Sequence, residues 1–111
     1  MKLKDFMEAV NAEFLTEKKE LELELSGGYA SDLLSDVMGN AHEGQIWITI
    51  MRHLNVVAVA SLANIPAIVF SNKMLPESAV IAKANDEGII LLTTKMTTFE
   101  IAGRLYKLLE K

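Results

Sequence analysis

The sequence predicts an α/β fold, a single layered domain whose mostly parallel sheet of about four strands is flanked by helices. Three observations carry that prediction. Short apolar runs, Ile46-Trp47-Ile48-Thr49-Ile50, Ala67-Ile68-Val69-Phe70 and Ile89-Ile90-Leu91-Leu92, have the length and composition of strands covered on both faces. Segments of helical length separate them, which implies parallel pairing through right-handed crossovers. The chain has 111 residues, enough for one continuous core without metal or disulfide staples and too few for two.

The elements follow in order. Leu3, Phe6, Met7, Val10 and Phe14 recur at helical spacing, so residues 1–16 read as an amphipathic N-terminal helix, and an alternating strand–helix core occupies 21–111. Leu21, Leu23 and Leu25 alternate with Glu22 and Glu24, the period of a half-exposed or edge strand. Gly27 and Gly28 then read as a tight turn into a helix over Leu33–Met38, ended near Gly39-Asn40. From His53 to Asn64 the valines favour strand and the alanines helix; the length and the stop at Asn64-Ile65-Pro66 decide for a buried helix. Glu77–Glu87 reads as a helix opened by Pro76 and closed by Gly88. Thr97 or Thr98 opens the last helix, and Thr97 with Glu100 has capping-box spacing.

Composition narrows the function classes. Hydrophobic residues make up 50%, charged residues 23%, and the net charge is −4, so no clustered cationic face for nucleic acid is expected. Lys18-Lys19 lies among Glu17, Glu20, Glu22 and Glu24 and reads as a solvated stretch. The absence of cysteine removes disulfides, thiolate catalysis and cysteine-held metals. His42 and His53 lack the spacing of a shared metal site, so no metal or cofactor is expected. No run approaches the roughly 18 apolar residues of a membrane span, and the N-terminus lacks the pattern of a secretory leader, which together predict a soluble cytoplasmic protein.

In a parallel sheet the strand C-terminal ends open on one edge, where ligands bind. The residues expected there are Ser26-Gly27-Gly28 with Ser31 and Asp32, then Thr49, Arg52 and His53, then Ser71-Asn72-Lys73, then Thr93-Thr94-Lys95. A glycine turn entering a helix leaves unpaired N–H groups at the positive end of the helix dipole, a cradle for an anion. Ser, Thr and Asn also serve as helix caps and turn formers, so each position has a purely structural reading beside the functional one. Candidate catalytic sets are sparse. Asp32 and Asp36, four residues apart, would share a helix face and hold a divalent cation, with Arg52 or Lys73 neutralising a phosphorylated substrate. No Gly-x-Ser-x-Gly, P-loop or three-glycine dinucleotide pattern occurs, and no catalytic residue set is predicted.

The run Gly27-Gly28-Tyr29-Ala30-Ser31-Asp32-Leu33-Leu34-Ser35-Asp36-Val37-Met38, followed by Trp47-Ile48-Thr49-Ile50 and His53-Leu54-Asn55-Val56-Val57-Ala58-Val59-Ala60, resembles the DRTGG domain family. The likeness extends from about Leu21 to Leu109 and is strongest to stand-alone members akin to the N-terminal domain of HPr kinase/phosphorylase. It implies an α/β regulatory or dimerising module without the separate P-loop domain in which the kinase chemistry resides. The family's Asp-Arg-Thr-Gly-Gly would follow the strand ending at Ile50, where this chain reads Met51-Arg52-His53-Leu54-Asn55. Only the arginine is retained, as Arg52, with His53 and Asn55 as substitute polar groups. The expected function is a non-catalytic sensing module that forms a homodimer, binds a small anionic metabolite or nucleotide at the strand edge, and acts on a protein partner the sequence does not name. The alternative is a small metal-dependent enzyme using Asp32 and Asp36.

Overall fold

The computed structural model describes residues 1–110. Ten elements follow one another: α1 (Leu3–Val10), β1 (Glu13–Phe14), β2 (Gly27–Ala30), α2 (Leu34–Asn40), β3 (Gln45–Thr49), α3 (Asn55–Leu62), β4 (Ala67–Phe70), α4 (Ser78–Glu87), β5 (Ile90–Thr93) and α5 (Thr98–Leu109). The sheet order is β1-β5-β4-β3-β2; β1 runs antiparallel to β5 and every other pair is parallel. The predicted α/β class and mostly parallel sheet are therefore what the chain forms, with five strands where about four were expected.

Every crossover from β2 to β5 steps in the same direction, so right-handed connections put α2, α3 and α4 on one face of the sheet. The helix α5 then returns across the other face beside α1. Strand side chains alternate between the two resulting cores. Trp47, Ile68, Phe70 and Leu91 face α2–α4, while Ile46, Ile48, Ala67, Val69, Ile90 and Leu92 face α1 and α5. Strands buried on both faces must be apolar throughout, which is why β3, β4 and β5 stand out as continuous apolar runs.

Four local expectations are corrected. The N-terminal helix stops at Val10 instead of continuing to residue 16, because Asn11 takes a left-handed conformation (φ 53) and the chain turns to add β1 beside β5. Leu21–Leu25 forms no sheet strand; its backbone serves the start of α1, with Leu3 N–H donating to Leu23 O at 2.8 Å and Lys4 N–H to Leu21 O at 3.0 Å. The charged half of its alternation is explained by ion pairs of Glu22 with Lys2 and Lys4, and of Glu24 with the N-terminus. Gly27 and Gly28 are strand residues of β2, not a turn. Packing bears on the second of them: a Cβ on Gly28 would stand 2.1 Å from Leu105 Cδ2, so α5 settles this closely on β2 with its leucine in place because residue 28 lacks a side chain, whereas a Cβ on Gly27 would make only ordinary contact with Gln45. Finally, Asp32 precedes α2 instead of opening it.

The helix ends are mostly as predicted. Thr97 Oγ1 accepts from Glu100 N–H at 3.2 Å while Glu100 Oε1 accepts from Thr97 N–H at 3.1 Å, a complete capping box at the start of α5. Gly88 closes α4 at φ 70, a left-handed cap that glycine takes without steric cost. Pro76 lies before the cap residue Glu77, outside the first turn it was expected to open.

Candidate functional site

The C-terminal ends of the parallel strands carry four loops, which start at Ser31, Ile50, Ser71 and Thr94. The chain leaves β4 for α4 on one face and leaves β5 for α5 on the other, so the loops part between these two strands. A parting of this kind is where ligands bind in open α/β sheets. Here the parting is laced together by backbone hydrogen bonds, Asn72 N–H to Met96 O and Lys73 N–H to Thr94 O, both 2.9 Å. Open space is left on either side. One hollow of about 360 Å³ lies against Asn11, Glu13, Lys73, Thr93, Thr94 and Lys95. A larger one of about 510 Å³ is lined by Ile50–Leu54 from one side and by Met74, Leu75, Glu77, Ala79 and Val80 from the other. Leu75 forms the ridge between them.

The hydroxyl and carboxylate groups expected at this edge serve the frame. Thr49, fully buried, donates through Oγ1 to Asp32 Oδ1 at 2.7 Å and accepts from Met51 N–H at 3.0 Å; the same Asp32 oxygen accepts from Ile50 N–H at 3.0 Å. Asp32 is thus the clasp between the loops after β2 and β3. Ser71 Oγ and Thr98 Oγ1 share a hydrogen bond of 2.7 Å, Thr93 Oγ1 donates to Met74 O at 3.1 Å, and Thr94 Oγ1 donates to Val10 O at 2.6 Å. Ser31 Oγ accepts from Leu33 N–H at 3.2 Å, in the role of a turn former.

Arg52, His53, Asn55, Asn72, Lys73 and Lys95 are instead exposed. Among the described residues, Arg52, Lys73 and Lys95 have no carboxylate within ion-pairing distance. The side chains left to meet a ligand are therefore cationic, amide and apolar, with Glu77 and Glu13 at the margins.

Ser26, Gly27 and Gly28 stand elsewhere. Gly27 and Gly28 begin β2 and Ser26 directly precedes it, at the N-terminal edge of the sheet, where Ser26 Oγ donates to Glu43 O and Ser26 N–H to Gly44 O, both 2.9 Å. The expected anion cradle is absent because there is no glycine turn into a helix at this point. The Asp32–Asp36 pair is also not built as expected. Asp32 lies outside α2, so the four-residue spacing does not place both carboxylates on one helix face. Asp36 accepts from Tyr29 Oη at 2.8 Å and from Asn40 Nδ2 at 2.9 Å. Hydrogen bonding from Ser31, Tyr29 and Asn40 holds its carboxyl below the usual range, and the same contact with Asp36 raises the Tyr29 phenol. No group of three or more His, Asp or Glu side chains that would hold a metal ion occurs among the described residues.

One feature of the edge was not legible in the sequence. Asn72 (φ 58) and Lys73 (φ 61) are consecutive left-handed residues, held by the two bonds that lace the parting. Asparagine tolerates this conformation; lysine is strained in it, and strained backbone concentrates at functional loops. Lys73→Gly is expected to raise stability by roughly 0.5–1 kcal/mol, since relief of a left-handed penalty of about 1–2 kcal/mol exceeds the cost of glycine's unfolded-state freedom of about 0.5–1 kcal/mol. Urea denaturation of the variant checks this, and a loss of stability would show that the lysine is not strained.

No protein-family model matches the chain, and no curated protein does. Among solved structures the fold matches the crystal structure of the CBS and DRTGG domains of the regulatory region of Clostridium perfringens pyrophosphatase, complexed with its activator diadenosine tetraphosphate, at a TM-score of 0.68 and 17% sequence identity. The match covers 94% of this chain and 47% of that one, so the chain spans about half the length of its neighbour. The likeness shows that the fold is DRTGG-like, as the sequence resemblance implied. No helix among the described residues is long and apolar enough to cross a membrane.

Proposed function

We propose that this chain is a regulatory, ligand-sensing module of the DRTGG type, which binds a small anionic metabolite or nucleotide at the C-terminal edge of its sheet and works as a cytoplasmic homodimer without chemistry of its own. The observation that carries this reading is the division of labour at that edge. Hydroxyl and carboxylate groups that would serve as nucleophile or base are tied to the frame, whereas Arg52, Lys73 and Lys95 extend from it without carboxylate partners. Cations around a hollow with apolar walls suit a ligand with phosphates at one end and a flat or apolar group at the other. The fold neighbour belongs to a regulatory region complexed with a dinucleotide activator, which supports the same class of role.

In this account Arg52 and His53 meet the anion in the larger hollow, Asn55 and Asn72 add amide contacts, and Lys73 and Lys95 draw phosphates towards the ridge at Leu75. Asp32, Thr49, Ser71, Thr93 and Thr94 hold the loops that carry them. A charge-assisted hydrogen bond contributes about 1.5–3 kcal/mol, so Arg52→Ala is expected to weaken binding roughly ten- to hundredfold. Calorimetric titration with ATP, diadenosine tetraphosphate and inorganic pyrophosphate measures it. Binding of at least one probe that weakens with added salt and with Arg52→Ala supports the reading; no binding to any, or binding indifferent to Arg52, overturns it.

A further inference from the structure

We propose that two copies of this chain pair through the free edge of β2 and the adjoining flank of α5. This rests on the reading of the module as a homodimer and names the surface that makes it. The two edges of the sheet differ in construction. At one edge β1 is only two residues long and carries Glu13, the short, charged build that discourages strand addition. At the other edge β2 pairs with β3 on one side only and reads Gly-Gly-Tyr-Ala, without charge or proline. Ser31 N–H donates to Ile48 O, so by strand alternation Gly28 and Ala30 turn their amides away from β3, towards the free edge.

Beside that edge α5 carries an apolar stripe. Ile101 and Leu105 take its core-facing side, leaving Phe99 87% exposed and Tyr106 68% exposed. Phe99, Ala102, Tyr106 and Leu109 are spaced three, four and three residues apart, one continuous flank of the helix. Ala102, Tyr106 and Leu109 share a shallow hollow with Gly28 and Ala30, so stripe and edge form one surface.

The occupant is a second copy because the surface complements itself. The stripe's spacing reads the same in both directions: two antiparallel α5 helices set Phe99 of one copy opposite Leu109 of the other, and Ala102 opposite Tyr106, small against large. A two-fold axis perpendicular to the sheet satisfies both contacts together, since it reverses every direction in the plane of the sheet. It makes β2 antiparallel to its copy and α5 antiparallel to its copy on the same face of a joined sheet. The spacing also closes. Strands lie about 4.8 Å apart, and α5 rests chiefly on β2 and less on β3. With α5 seated over the groove between β2 and β3, both of which it touches, the two α5 axes would lie about 10 Å apart, the usual separation of packed helices. Phe99 and Tyr106 alone offer roughly 300 Å² of the roughly 800 Å² that a stable interface takes from each partner, and the strand edge adjoins them.

Sedimentation and light-scattering mass across a dilution series test the surface. The wild type is expected to be a dimer of the 12.3 kDa chain. Phe99→Asp with Tyr106→Asp is expected to raise the dissociation constant about a hundredfold or more, as two interface anchors are lost. Ala30→Pro removes an outward amide that the monomer does not use, and dissociation is expected again. Leu62→Asp, on α3 and 70% exposed, is the control and is expected to leave the dimer intact. Circular dichroism confirms that each variant is folded, and Phe99→Ser replaces the double variant if that one is not. A dimer that survives the α5 and β2 changes, or yields to Leu62→Asp instead, overturns this surface and leaves the homodimer reading standing; a monomeric wild type overturns both.

Discussion

Trp47→Ala is expected to lower the folding free energy by about 3–5 kcal/mol, the range for deleting a large buried aromatic side chain. Trp47 sits fully buried at the middle of β3, packed into the core beneath α2–α4. Its Nε1–H donates to Ser31 O at 2.8 Å, at the point where β2 gives way to the loop carrying Asp32. Alanine would leave a cavity and also release a carbonyl that helps fix the clasp between Asp32 and Thr49. Against a total stability of roughly 5–15 kcal/mol this is a large fraction. Because Trp47 is the chain's one tryptophan, the transition must be followed by far-ultraviolet circular dichroism in urea. A loss below about 1 kcal/mol would contradict the packing described, since even truncating a smaller core leucine or isoleucine to alanine costs about 2–5 kcal/mol.

Gly28→Ala is expected to cost about 1–3 kcal/mol, through overpacking and not through backbone strain. The new methyl would meet Leu105 Cδ2 at 2.1 Å and Ile46 Cγ2 at 3.6 Å. Leu105 is buried, and its terminal methyl must leave that packed position for the shallow hollow beside Gly28 before the new methyl fits. The mechanism predicts coupling: Leu105→Ala is damaging alone, at about 2–5 kcal/mol, yet Gly28→Ala on that background should cost little or restore stability. Urea denaturation of the four-member cycle decides it. Additive losses would mean that the glycine is required for some reason other than the approach of α5.

That glycine pair also marks where the sequence stops being legible. The strands β3, β4 and β5 can be read from residues alone because burial on both faces leaves an apolar run that no exposed element tolerates. The capping box at Thr97 and Glu100 and the stop at Gly88 are legible because their partners lie within one helical turn. The strand role of Gly28 is not legible because what presses on the position is Leu105, at the far end of the chain. Leu21–Leu25 was misread for a similar reason. Its alternation is real, but its backbone partner is the first turn of α1 and not a strand.

The site divides in the same way. The strand ends at Thr49, Ser71 and Thr93 were legible as an edge, since three apolar runs terminate in polar residues there. What those residues do was not, because their partners are remote in sequence: Thr94 answers to Val10, and Thr49 to Asp32. Ser26, Gly27 and Gly28 moved to the other end of the sheet once β2 shifted along the chain. The left-handed pair Asn72-Lys73 leaves only the asparagine as a local hint.

The central claim is that an anion is held at the C-terminal edge, between the loops after β3 and β4. Amide chemical-shift mapping of the isotopically labelled chain during titration with ATP tests it most directly. The account predicts saturable shifts concentrated at Met51–Asn55 and Asn72–Glu77, with weaker ones at Thr94-Lys95, all diminished in Arg52→Ala. Shifts centred instead on Ser26–Gly28 and Gly44, at the opposite edge, or no saturable shifts at all, would contradict it.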